Sequence, residues 1–223
     1  METSSVRRLR AAATLIVCAT ACRATPRQPA AEPARPAVSP EASRPNAPAT
    51  TADRARSGHT AADVRFVQGM IGHHAQALAM TSLVPARTTR EDMRLLAQRI
   101  EVSQKDEIAA MQRWLRDRGE TVPDPDPQHV HHMGGSGQPL MPGMLTPDEM
   151  AQLAKATGVD FDRSFLRFMI RHHEGALAMV ASLFATPGAG QEAQLFDFAS
   201  DVDADQRAEI ARMRALLAKL PNG

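Results

Sequence analysis

From residue 61 onward the apolar positions return every three or four residues, the 3.6-residue period of amphipathic helices, and no segment keeps the strict alternation of a strand. The pattern predicts a first helix over 61–84, opened by Thr60 and ended by Pro85, and a second over 90–118, opened by Thr89 and closed by Gly119. Thr146, Pro147 and Glu149 combine a cap, a proline at the first helical position and a capping-box carboxylate, so a short helix is expected over 146–158, closed by Gly158. A third long helix is expected over 161–185 and a fourth over 191–219, before Pro221. Such a chain is all-α, and four amphipathic helices that cannot bury their apolar faces alone make a four-helix bundle.

The helices come in two copies. MIGHHAQALAM, from Met70 to Met80, recurs as MIRHHEGALAM from Met169 to Met179, and Asp63 and Phe66 recur as Asp162 and Phe165, all at an offset of 99. QKDEIAAMQRWL, from Gln104, is echoed by QRAEIARMRALL, from Gln206, at an offset of 102. The unit is therefore a helical hairpin present twice, over 60–119 and 160–220, joined by a Pro/Gly-rich loop over 120–145 and the short helix.

The N-terminal part reads differently. Arg7, Arg8 and Arg10 precede a short apolar run, so residues 1–22 are expected to be an export signal. Cys22 follows Ala19-Thr20-Ala21 and is a candidate for lipidation; Ala where a lipobox usually has Leu keeps an ordinary signal peptide as the alternative. Residues 23–59 are rich in Pro, Ala, Arg, Ser and Thr and are expected to be a disordered tether. The expected location is the periplasm or cell envelope, with the membrane touched only through a lipid anchor. Cys18 and Cys22 are the only cysteines, so methionine is the only sulfur ligand left to the mature domain. A formal net charge of +1 and 4% aromatic residues exclude the broad basic field and stacking platforms of a nucleic-acid binder.

Candidate chemistry rests on the histidine pairs. Steps of three, four, seven and ten residues return to nearly one helical face, which aligns Met70, His73, His74 and Met80, and likewise Met169, His172, His173 and Met179. The two rings of a pair lie about 100° apart, so one is expected to point into the bundle and the other to its edge. Imidazole with thioether suits a soft or borderline metal, copper above all. The competing reading makes the histidines a polar layer that fixes helix register and the methionines flexible core fillers. Met111 and Met213 are weaker sulfur candidates, and Glu107 and Glu209 read as solvated or capping charges as readily as ligands. His129, His131, His132, Met133, Met141 and Met144 form a possible secondary site on the loop, and His59 is given no role. A ferritin-like di-iron bundle needs Glu-x-x-His elements, and here Met70 and Met169 stand where those glutamates would be.

The doubled MIxHHxxALAM motif, MPGMLTPDEM and FDRSFLRFMIRHHEGALAM resemble the bacterial family of domain of unknown function 305, over about residues 60–220. The resemblance implies a ferritin-like four-helix fold. It also implies copper, as Cu(I) or Cu(II), held through Met70, His73, His74, Met80, Met169, His172, His173 and Met179. The expected function is copper binding, buffering or handover, with a copper donor or acceptor protein as partner and without catalysis; a ferritin-like metallo-oxidase and a metal-free interaction module are the alternatives.

Overall fold

The computed structural model describes residues 58–125 and 140–221, and all of its regular structure there is helical. The long helices are α1 (Ala61–Thr81), α3 (Glu91–Asp117), α5 (Gly158–Ala185) and α6 (Ala193–Leu217); α2 (Val84–Arg87) and α4 (Pro147–Lys155) are short. None of these is long and apolar enough to cross a membrane. The export signal, Cys22, most of the tether, and His129, His131, His132 and Met133 lie outside the described residues.

The expected caps at Thr60 and Thr146 are present, each completed as a capping box, by Asp63 and by Glu149. Several boundaries differ. The first helix stops at Thr81, where Ser82 caps it, and Pro85 lies within the single turn of α2 instead of ending the run. Proline suits a first turn because its missing N–H has no intrahelical partner there. Thr89 does not cap α3; Arg90 occupies the cap position, and its N–H donates to Thr88 Oγ1. Gly119 closes that helix at φ +68°, as expected. Gly158 does not close α4 but opens α5 at φ +57°. His59, read as tether, is buried against the fold, bonded to Glu120 and set edge-on to the Trp114 ring.

Helix α1 packs on α3, α5 on α6, and the two hairpins meet through α1 and α5. These two run antiparallel: Asp63, at the start of α1, accepts a 2.7 Å hydrogen bond from the N–H of Gly190, just past the end of α5. Its repeat-equivalent Asp162 lies 3.8 Å from Arg90, beyond the end of α1. A pseudo-twofold axis thus relates the hairpins.

The core obeys the same symmetry. One apolar cluster takes Phe66 and Met70 from the first half of α1, Met111 from the second half of α3, Val180 from the second half of α5 and Leu195 from the start of α6. The other takes Met80, Met93, Phe165, Met169 and Met213 from the opposite halves. Between them every long helix contributes buried polar residues: His73 and His74, Gln104, His172 and His173, Gln206 and Glu209. The bundle therefore carries one polar layer at mid-height.

Candidate metal centre

All four histidines are at most 1% exposed, so the expectation that one of each pair points to the edge is wrong. The reason is that each histidine helix has two neighbours roughly a quarter-turn apart. His74 turns toward its hairpin partner, where Nε2 meets Glu107 Oε2 at 2.5 Å, and His173 meets Glu209 Oε2 at 2.6 Å. His73 and His172 turn toward each other across the axis, with ring centroids 3.8 Å apart and planes inclined by 37°.

Glu107 and Glu209 are therefore not solvated charges; they accept hydrogen bonds from buried imidazoles. Burial raises the Glu107 carboxyl pKa, but hydrogen bonds from His74 and Ser103 and nearby imidazoles outweigh it, leaving a net lowering. Near the same carboxylates, burial first and then the charges of Glu107 and Glu209 raise Asp205, the repeat-equivalent of Ser103. Burial, with a smaller contribution from neighbouring histidines, lowers His73 to about 3 and His172 well below the ordinary range. Both are neutral rings at neutral pH.

Hydrogen bonding fixes what these rings offer. A carbonyl only accepts, so His73 donates from Nε2 to Pro142 O at 2.9 Å, and its Nδ1 carries a bare lone pair. His74 and His173 are likewise held through Nε2. The free nitrogens are Nδ1 of His73, His74 and His173 and Nε2 of His172, all buried and without a hydrogen-bond partner among the described residues. Gln104 and Gln206, one turn before the two glutamates, also bury amide atoms without partners.

Pro142 belongs to a strap, residues 140–146, read from composition as a loose loop but ordered here. Leu145 is clamped by Gln76 through both backbone groups, at 2.8 and 2.9 Å, and Met144 is buried. Arg171 grips Glu149 through two 2.7 Å bonds, tying α4 to α5 and, as the largest influence, lowering Glu149 to about 2. The strap crosses α5 at Gly175, where a β-carbon would lie 1.9 Å from Pro142 O, and turns at Gly143, whose φ is +77°.

Met70 and Met169 lie one turn before the histidine pairs, in the apolar clusters rather than in the polar layer, while Met80 and Met179 leave the stripe. Met70 and Met111 lie in one apolar cluster and Met80, Met169 and Met213 in the other, all buried, while Met179 is half-buried. A ten-residue step leaves the stripe by about 80° and climbs about 15 Å, enough to pass from one cluster to the next. Among the described residues no three His, Cys, Asp or Glu side chains converge as a ready-made metal cage.

The molecule is thus an antiparallel bundle of two similar hairpins built around a buried histidine–glutamate layer. Its residues 63–217 match the model of the Domain of unknown function (DUF305), and the chain belongs to that family. It is similar to a DUF305 fragment from Deinococcus radiodurans, with 34% identity over 73% of this chain and 99% of that one and a TM-score of 0.59. It is also similar to a DUF305 protein from Streptomyces coelicolor that is taken to be secreted, with 29% identity, 73% and 94% coverage and a TM-score of 0.60. CopM in a Cu(I)-bound form shares the fold at 24% identity, 72% and 98% coverage and a TM-score of 0.51. No curated protein matches.

Proposed function

We propose that this chain is an exported copper-binding protein that holds the ion on the imidazole nitrogens of His73, His74, His172 and His173, and buffers it or hands it to a partner protein. The observation that carries the reading is the set of four buried ring nitrogens without partners, three on rings whose other nitrogen is pinned by Glu107, Glu209 or the Pro142 carbonyl. A metal-binding imidazole needs that arrangement, because the outer hydrogen bond fixes the tautomer and makes the free nitrogen a better donor. Leaving such an atom unpaired in a core costs about 1–3 kcal/mol, which a bound ion relieves. The stacked His73 and His172 rings must rotate apart to admit it. Imidazole suits several borderline metals, and the Cu(I)-bound neighbour makes copper the first to test.

In this reading Met70 and Met169, each wrapped in an apolar cluster, act first as packing, as do Met80, Met111 and Met213. No residue is assigned a catalytic role. Protein purified without an added histidine tag is expected to carry copper in a fixed ratio by atomic spectroscopy. Replacing all four histidines by Ala should abolish that binding while circular dichroism still reports helix. Unchanged copper in the folded variant would sink the proposal in favour of a metal-free polar layer.

Export and anchoring rest on the N-terminal sequence, with the Streptomyces coelicolor relative as support for export. Cys22→Ser is expected to move the protein out of the membrane fraction or leave its signal uncleaved. Native protein found wholly soluble in the periplasm would refute the anchor alone.

A further inference from the structure

The pseudo-twofold symmetry breaks most clearly on the outer face of α1. The repeat-equivalents of Gly69 and Gly72 are Phe168 and Arg171. On that side the Arg171 guanidinium lies 5.3 Å from the Phe168 ring centroid while gripping Glu149. On the Gly69 side the space is taken by two thioethers: a β-carbon on Gly69 would lie 3.3 Å from Met141 Sδ and 3.6 Å from Met179 Cε. Met141 comes from the strap and Met179 from α5, so two separate elements bring thioether side chains to one notch, Met141 through its sulfur and Met179 through the adjoining methyl.

Both methionines are half-buried, whereas Met80, the repeat-equivalent of Met179, is fully buried in the core. A core-filling methionine is expected to be enclosed like Met80. Beside the notch a groove of about 360 Å³ opens between α1 and α5, with Met179 and Pro142 in its wall. The residue after Met141 is Pro142, whose carbonyl holds His73. The notch is therefore one residue from the histidine layer on one side and open to solvent on the other.

We infer that Met141 and Met179 form a thioether port for a soft monovalent cation, where the ion is first caught before it passes to the histidines. Neutral, polarisable thioethers on flexible stems select soft ions such as Cu(I) over hard ones. Arg65, also in the groove wall, works against any cation bound by charge alone, so the sulfur bonds must provide the attraction. The port rests on the copper reading only for the ion's destination.

The test uses Ag(I), a redox-inert and diamagnetic soft ion, titrated into the full chain carrying methyl-labelled methionine and nitrogen-labelled histidine. The Met141 and Met179 methyl resonances, identified with Met141→Leu and Met179→Leu, are expected to shift together and before any other methionine. In the double Leu variant, filling of the histidine layer should be slower but reach the same endpoint. Histidine shifts with both methyl resonances unmoved would overturn the port and leave the histidine site standing. Joint methyl shifts without any histidine response would support the port and remove the copper reading of the layer. Silence from both sets overturns both.

Discussion

Metal-free protein taken from pH 7 to pH 5 is expected to lose on the order of 2 kcal/mol of stability through His73, with a further loss through His172, a sizeable fraction of a typical domain's total. His73 is neutral in the folded state at both pH values, and burial, the main cause, also holds His172 well below its ordinary value. In the unfolded chain they titrate at the ordinary histidine value of 6.5. Below that value the unfolded state binds protons that the folded state does not, so stability falls as pH falls, until the folded rings themselves titrate, near 3 for His73. Glu149, lowered to about 2, adds its own loss only below its ordinary value of 4.5, while Asp162 and Asp205, both raised, offset part of that loss at the acid end. Urea midpoints at pH 7, 6 and 5 measure the effect, and His73→Asn with His172→Asn should flatten the profile. A midpoint independent of pH over this range would mean that the axis histidines are hydrated or charged.

Gly175→Ala is expected to destabilise the protein by about 1–3 kcal/mol or more, although alanine is intrinsically better than glycine inside a helix by about 1 kcal/mol. The added methyl would meet Pro142 O at 1.9 Å and Gly143 Cα at 2.8 Å, both backbone atoms that no side-chain rotation can move. The strap must lift, and His73 Nε2 then loses its acceptor in a dry layer. Gly69→Ala is the control. Its methyl meets only the flexible Met141 and Met179 side chains, so it is expected to be no less stable than wild type and to keep up to about 1 kcal/mol of the helix gain. Equal urea midpoints for Gly175→Ala and wild type would show that the strap is not packed as described.

Much of this was legible in the chain. The caps at Thr60 and Thr146, the stop at Gly119, the duplicated hairpin and the histidine pairs all follow from local pattern. What escaped was partnership: a helical period reveals which face is apolar but not which helix will cover it. Glu107 and Glu209 read as solvated or capping charges as readily as ligands until His74 and His173 are placed opposite them. The signal was the repeat itself, which preserved both the glutamates and the glutamines one turn before them. The strap escaped because Pro and Gly in 140–146 resemble a loose loop, yet Gly175 replaces the Gln76 of the first copy in mid-helix, where a glycine is costly without a reason.

The pseudo-twofold axis between His73 and His172 has the form of an isologous dimer interface, in which one patch meets its own copy. Each apolar cluster draws on both hairpins, so neither hairpin encloses a core by itself. Joining the copies in one chain makes assembly unimolecular, independent of protein concentration. It also frees each copy to change alone: one face carries the Phe168–Arg171 contact, and the other the Gly69 notch under its strap. A true homodimer has to present any doorway twice, whereas this fused one has a front and a back.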